Sequence, residues 1–342
     1  MERDLPSTPD TSGTHGFRGR RLPQAVALDV TTRCNLRCVH CYNDSGAGPG
    51  DDLSGKRLLG VAAEIAALRP FNVCLCGGEP LCRPELTELI DVLRAGAGRV
   101  SMVTNGFAMT AALAAELARR GVYAVQVSLD GAYAWQHDSI RGVPGSFERA
   151  KAAIRALRDA GVPQIMTAIL PNRLNRDSLE DYVRLCISLG VDVIRSMPFL
   201  PSGRGRTVGR ALMLDAEEYL RWRRGIRSLS DRYGNRIRAE WDDPLGMITT
   251  MPGRAKGGER SYGIEIRANG DLVVSSYLPL VVGSLTRHSL PDYWYGGYDR
   301  VWTDPRVTDY VSRIRCVDDF DRLDPLPFSG KQITFDILED KR

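Results

Sequence analysis

The stretch AVALDVTTRCNLRCVHCYN, residues 25–43, decides how the rest of the chain is read. Its first six residues are a short apolar run with the length and composition of a buried strand. A loop carrying Cys34, Cys38 and Cys41 follows. Runs of the same kind return at 72–76, 100–104, 122–129, 164–170 and 191–197. Between them lie stretches of helical period near 54–68, 84–96, 109–119, 146–160 and 177–189, with another at 215–232. Gly121 and Gly161 read as helix stops, and Ser146 and Asp177 as starts. This alternation is the pattern of repeated βα units around a parallel sheet, an α/β fold. Six such strands either close partly into a barrel or open as a doubly wound sheet. In both architectures chemistry sits at the carboxyl ends of the strands, where the cysteine loop falls.

Composition narrows the function classes. With 342 residues, 43% hydrophobic and 26% charged, the chain buries one large core or two modest ones, which excludes disorder, a coiled coil and a collagen-like fibre. The net charge of +4 comes from 46 basic and 42 acidic residues scattered along the chain, so no footprint for nucleic acid or an anionic membrane is expected. No window approaches the roughly 18 uncharged apolar residues of a membrane span, and the opening is polar, so a cytoplasmic protein is expected. Residues 1–24 read as a loose arm and 25–234 as the catalytic core. Residues 235–342 read as a small α+β module with a hairpin at 264–274 turning at Asn269 and Gly270, then helical stretches at 289–294 and 299–302. Eight cysteines without an export signal point to thiols or metal ligands.

Cys34, Cys38 and Cys41 form CxxxCxxC. Three thiolates so spaced hold three irons of a cubane cluster and leave the fourth open. Zinc is the alternative, and it would draw a fourth ligand such as His40 and usually shows paired CxxC arms. Ligand count and spacing favour iron–sulfur. Further motifs stand after or on the later strands, with GGEP at 77–80, TNG at 104–106, SLDG at 128–131 and HDSIRGVPGSF at 137–147. Taken singly, an Asn before Gly is a turn, a strand Ser is packing and an Arg is a surface charge.

In this order and at these strand positions, the motifs resemble the radical S-adenosylmethionine (radical SAM) superfamily over about residues 25–200. The resemblance implies a partial (β/α)6 barrel. It implies a [4Fe–4S] cluster on Cys34, Cys38 and Cys41, and S-adenosylmethionine as cosubstrate. Gly77, Gly78 and Glu79 would meet the methionine amine; Asn105, Ser128 and Arg141 would meet the ribose and the carboxylate. It also implies an electron donor such as flavodoxin or ferredoxin, and reductive cleavage to a 5′-deoxyadenosyl radical that abstracts hydrogen from substrate.

The C-terminal hairpin, VGSL (282–285) and SLPDYW (289–294) resemble the subfamily with a cysteine-rich SPASM or twitch extension. Here Ser275 and Asp319 stand where those relatives carry cysteines, and Cys316 is the one cysteine after residue 235. A degenerate extension without an auxiliary cluster is therefore expected. A second centre on Cys74, Cys76 and Cys82 weighs less than burial of these thiols as small hydrophobes, as for Cys186. Lacking a second electron acceptor, the reaction is expected to be redox-neutral: a decarboxylation, epimerisation, rearrangement or carbon–carbon bond formation. Cys76, Cys82 and Cys316 are candidate thiol donors. The short N-terminal arm favours a small sugar- or nucleoside-like natural-product intermediate over a peptide. A peptide maturase or dehydrogenase with an unseen auxiliary cluster is the alternative.

Overall fold

The computed structural model describes residues 22–46, 50–207, 209–325 and 331–340; the expected arm at 1–24 lies almost wholly outside the described residues. The first half alternates as expected. Strand β1 (Ala25–Asp29) leads through the cysteine loop to α1 (Gly55–Leu68), then β2 (Asn72–Cys76), α2 (Leu86–Arg94), β3 (Arg99–Thr104), α3 (Ala111–Arg119) and β4 (Ala124–Ser128). Two helices follow, α4 (Ala134–Arg141) and α5 (Ser146–Asp159), before β5 (Gln164–Ile169), α6 (Leu179–Ser188), β6 (Val193–Ser196) and α7 (Ala216–Tyr233). Beyond these come β7 (Arg238–Trp241), α8 (Pro244–Lys256), β8 (Gly263–Ile266), β9 (Asp271–Val273), β10 (Leu280–Ser284), α9 (Leu290–Gly296), α10 (Pro305–Ser312) and β11 (Ile333–Thr334).

Strands β1 to β7 are parallel and lie side by side in chain order. A doubly wound sheet reverses its strand order at a switch point, and this one does not. Consecutive parallel order instead curls the sheet into an open barrel, which settles the choice left by the sequence. On the far side of β1 the sheet continues through β8, β9, β10 and β11. Strand β8 runs parallel to β1, pairing Ala27 with Glu265, and turns at Gly270 (φ +88°) into antiparallel β9. The residues after 235 thus add one strand at one edge of the sheet and four at the other.

The helices pack their apolar faces on the outside of the barrel. Leu58, Val61, Ala62 and Ile65 of α1 and Leu89, Ile90 and Leu93 of α2 are buried against the strands. Alternate strand positions face the other way: Val26 and Leu28 are buried in the helix layer, whereas Ala25 and Ala27 line the interior of the barrel. No helix among the described residues is long and apolar enough to cross a membrane.

Candidate active site

A cavity of about 590 Å³ occupies the barrel interior and reaches the cysteine loop at the carboxyl ends of the strands. Cys34, Cys38 and Cys41 line it together, as do Gly77, Gly78, Asn105, Ser128 and Arg141. They come from the loops after β1, β2 and β3, the end of β4 and the end of α4, so the distant sequence motifs converge on one space.

The cysteine loop is held from several sides. Asp52 accepts from the Thr31 hydroxyl at 2.5 Å and from the Thr32 backbone N–H at 3.0 Å. Arg204 donates to the Cys38 carbonyl at 3.1 Å. Asn43 links the loop to the Gly77 carbonyl at 3.3 Å, while the Cys41 thiol donates to Asn43 Oδ1 at 3.1 Å. The GGEP turn is pressed against the same loop. Gly78 N–H donates to the Thr31 carbonyl at 2.7 Å and Glu79 N–H to the Arg33 carbonyl at 2.9 Å. A Cβ on Gly78 would stand 2.2 Å from the Arg33 carbonyl oxygen, and one on Gly77, at φ +117°, 2.5 Å from that of Thr31. The two glycines thus let two backbones touch, in addition to bordering the cavity.

Glu79 differs from its expected place. Its carboxylate is fully buried behind the turn and does not line the cavity. It accepts from Leu81 N–H at 3.1 Å, the Thr104 hydroxyl at 2.7 Å and Asn105 N–H at 2.7 Å. Burial pushes its carboxyl up, while these donors oppose the shift. Glu79 therefore fixes the TNG turn against GGEP and acts on the cavity through Asn105, whose amide donates to Asn35 Oδ1 at 2.7 Å and approaches Cys34 Sγ at 3.8 Å.

Arg141 is buried and reaches the cavity as expected, but its Nε is committed to Asp130 Oδ2 at 2.6 Å, and its Nη1 lies 3.5 Å from Cys38 Sγ. Asp130, absent from the expected site residues, is the hub of this corner. Its carboxylate stands 3.5 Å from both His40 Nε2 and His137 Nδ1. Burial opposes ionisation of Asp130, yet Arg141, then His40 and His137, outweigh it and hold the carboxyl well below the usual range. His137 is itself lowered to about 4 by burial. His40 also stacks with Phe199, with ring centroids 6.5 Å apart.

The three thiols fit the cluster that the fold implies. A tetrahedral ion with 2.3 Å sulfur bonds would draw its sulfurs to about 3.8 Å from one another. Among the described residues, the one group of three candidate ligand atoms all within 4.8 Å of each other is His288, Asp336 and Glu339, so the three cysteine sulfurs stand further apart than that. Burial pushes the Cys34 thiol up to about 11 and raises that of Cys41, where the Arg204 cation opposes the shift. Of the candidate thiol donors, Cys76 lines the cavity. Cys82 borders a separate pocket with Thr31, Asp52 and Arg83, and Cys316 is exposed beside Asp319, so neither is brought to the site.

Comparison with known proteins agrees with this geometry. Residues 28–186 match the family described as the radical SAM superfamily. The mycofactocin maturase MftC of Mycolicibacterium smegmatis is 35% identical over 201 residues, which are 59% of this chain and 51% of that protein. The AdoMet-dependent heme synthase of Methanosarcina barkeri is 30% identical over 291 residues, 80% of this chain and 82% of that protein. The chain thus spans about half the length of the maturase and most of the synthase. Among solved structures, Streptococcus suis SuiB bound to S-adenosylmethionine superposes with a TM-score of 0.64 at 16% identity, covering 85% of this chain and 68% of that one; SuiB has also been solved with its precursor peptide SuiA. The expected preference for a small molecule over a peptide partner is corrected by these findings: the short arm carried that expectation, and a relative named as a maturase at 35% identity overturns it. The partial barrel, the thiol triad at its mouth and the shared sequence over four-fifths of a radical SAM relative place this chain in the radical SAM superfamily, whose enzymes use a [4Fe–4S] cluster and S-adenosylmethionine.

Proposed function

We propose that this chain is a radical SAM enzyme acting on a peptide, with Cys34, Cys38 and Cys41 holding the cluster and the cavity of the open barrel taking both the cosubstrate and one peptide side chain. The observation that carries the reading is the convergence of the three thiols, Asn105, Ser128 and Arg141 on one cavity. The cavity reaches past them to Arg195, Glu265, Tyr277 and Met251, leaving room beyond the cosubstrate contacts.

When bound, the cluster and S-adenosylmethionine supply one-electron cleavage to a 5′-deoxyadenosyl radical. The chain's own residues bind, orient and exclude water. Arg141, steadied by Asp130, presents its remaining guanidinium donors to the methionyl carboxylate. The Gly77 and Gly78 backbone borders the space for the amine, and Asn105 and Ser128 offer hydrogen bonds to the ribose. Residues 235–342 are, in this proposal, a reduced form of the SPASM or twitch extension. Ser275 sits in a tight turn, where its C=O accepts from Leu278 N–H at 3.0 Å and its hydroxyl from Tyr277 N–H at 3.3 Å, and Asp319 caps the backbone of Arg315 at 2.8 Å. Ser275 and Asp319 offer no thiolate to a second cluster at these two positions, which favours a redox-neutral peptide modification.

The experiment uses cells grown in deuterated medium, fractionated into peptides and small metabolites. Each fraction is incubated with reconstituted, reduced protein and S-adenosylmethionine. Deuterium in 5′-deoxyadenosine with the peptide fraction is the expected result, and label drawn from the small-metabolite fraction alone overturns it.

A further inference from the structure

Two side chains of the barrel interior have no part in the arrangement above. Cys74 and Cys76 lie two apart on β2 and so share a face, and both line the cavity with the cysteine triad. Their sulfurs are 3.4 Å apart, with the Cys76 thiol donating to Cys74 Sγ, and both are free thiols. The register sets Asp29 of β1 opposite Cys76 and Ala27 opposite Cys74. Ser101, Glu265, Arg195, Tyr42 and Tyr277 also face the pair. A vicinal dithiol of this kind, open to a space where carbon radicals form, has a specific chemical competence. An S–H bond is weaker than an unactivated C–H bond and far weaker than a hydroxyl O–H bond, so a thiol gives its hydrogen atom readily to a carbon radical, whereas a hydroxyl does not.

We propose that Cys76, paired with Cys74, is the hydrogen-atom donor to carbon radicals in the barrel interior, and thereby the residue that quenches the substrate radical. This rests on the peptide-modifying radical SAM reading above. In the step the Cys76 S–H bond breaks, a C–H bond forms on the substrate, and Cys76 is left as a thiyl radical. Cys74, 3.4 Å away, shares the unpaired electron across the sulfur contact. One electron from a low-potential donor of the flavodoxin or ferredoxin class and one proton restore the thiol. The substrate loses one hydrogen atom to 5′-deoxyadenosine and regains one from Cys76, so its oxidation level is unchanged and its configuration is free to invert. The hydrogen bond to Cys74 keeps the proton on Cys76 and lowers the Cys74 thiol. Asp29, raised to about 7 by burial and by Glu265, is a proton carrier in the same layer.

The test needs no peptide, because the 5′-deoxyadenosyl radical then serves as the carbon radical. Reconstituted full-length protein is reduced with dithionite in D2O with S-adenosylmethionine, and the nucleoside product is weighed by mass spectrometry. The parent and Cys82→Ser are expected to give 5′-deoxyadenosine carrying one deuterium. Cys76→Ser and Cys76→Ala, at parental iron content, are expected to lose that label. Label retained at the parental level by both Cys76 variants overturns the donor, as does an unlabelled product from the parent. No nucleoside from any protein overturns the radical SAM reading and the donor with it.

Discussion

Replacing Asp130 with Asn removes one charge and almost no volume, which makes it a stringent probe of the buried cluster behind the active site. Asp130 is 2% exposed and holds Arg141, itself 9% exposed, through a 2.6 Å contact. The amide cannot neutralise the guanidinium, so Arg141 is left as a buried, uncompensated cation, and breaking a pair of this kind costs about 3–5 kcal/mol. The loss is of the order of half the stability of an ordinary domain, of about 5–15 kcal/mol. Urea denaturation of the metal-free protein at pH 7 reads it as a lowered midpoint at unchanged slope. The double variant Asp130→Asn/Arg141→Met, which removes both charges, is expected to recover much of the loss, since uncharged replacements of a buried pair are often near neutral. A single variant within about 1 kcal/mol of the parent would refute the reasoning and return the pair to the value of a surface salt bridge.

Other consequences follow from the same contacts. Gly78→Ala places a methyl group 2.2 Å from the Arg33 carbonyl oxygen, backbone that cannot swing aside. It is expected to cost about 1–3 kcal/mol by overpacking and to lower iron content after reconstitution, because the displaced neighbour is the cysteine loop. Normal iron loading at parental stability would contradict this. Burial and Glu265 raise Asp29 to about 7, so its stabilising contribution is full below the unfolded value of 3.8 and is lost as pH rises through 7. Asp29→Asn removes that dependence, and the parent should therefore lose stability relative to the variant between pH 4 and pH 7, by at most about 1.4 kcal/mol per pH unit. His137 acts in the opposite sense: lowered to about 4, it withdraws stability as pH falls from 6.5 towards 4, and His137→Gln should flatten that acid limb.

The sequence carried the barrel well where periodicity reports burial on one face. The six strands of the core and the helices at 55–68 and 146–159 follow directly from apolar spacing. Helix α4 escaped because its buried face is polar: Gln136, His137 and Arg141 are inside, held by hydrogen bonds and charge, so no apolar stripe marks it. Strand β7 escaped because Arg238–Trp241 has no apolar run, and its backbone pairing to β6 is what defines it. The cysteine triad and its company were legible because CxxxCxxC, GGEP and TNG each lie within a few residues. Nothing in SLDG marks Asp130 as a site residue, since its partner Arg141 stands eleven residues on and the two meet only when α4 folds back. The resemblance sets Glu79 against the methionine amine, whereas in the structure three donors of the protein surround its carboxylate.

The central claim is that Cys34, Cys38 and Cys41 hold a four-iron cluster at the mouth of the open barrel. Iron and acid-labile sulfide per chain, measured after anaerobic reconstitution of the parent and of Cys34→Ala/Cys38→Ala/Cys41→Ala, test it most directly. The account predicts about four irons and four sulfides for the parent, as a cubane requires, and near-complete loss of both in the triple variant. A triple variant that keeps its iron and sulfide, or a parent that binds one zinc and no sulfide, would contradict it.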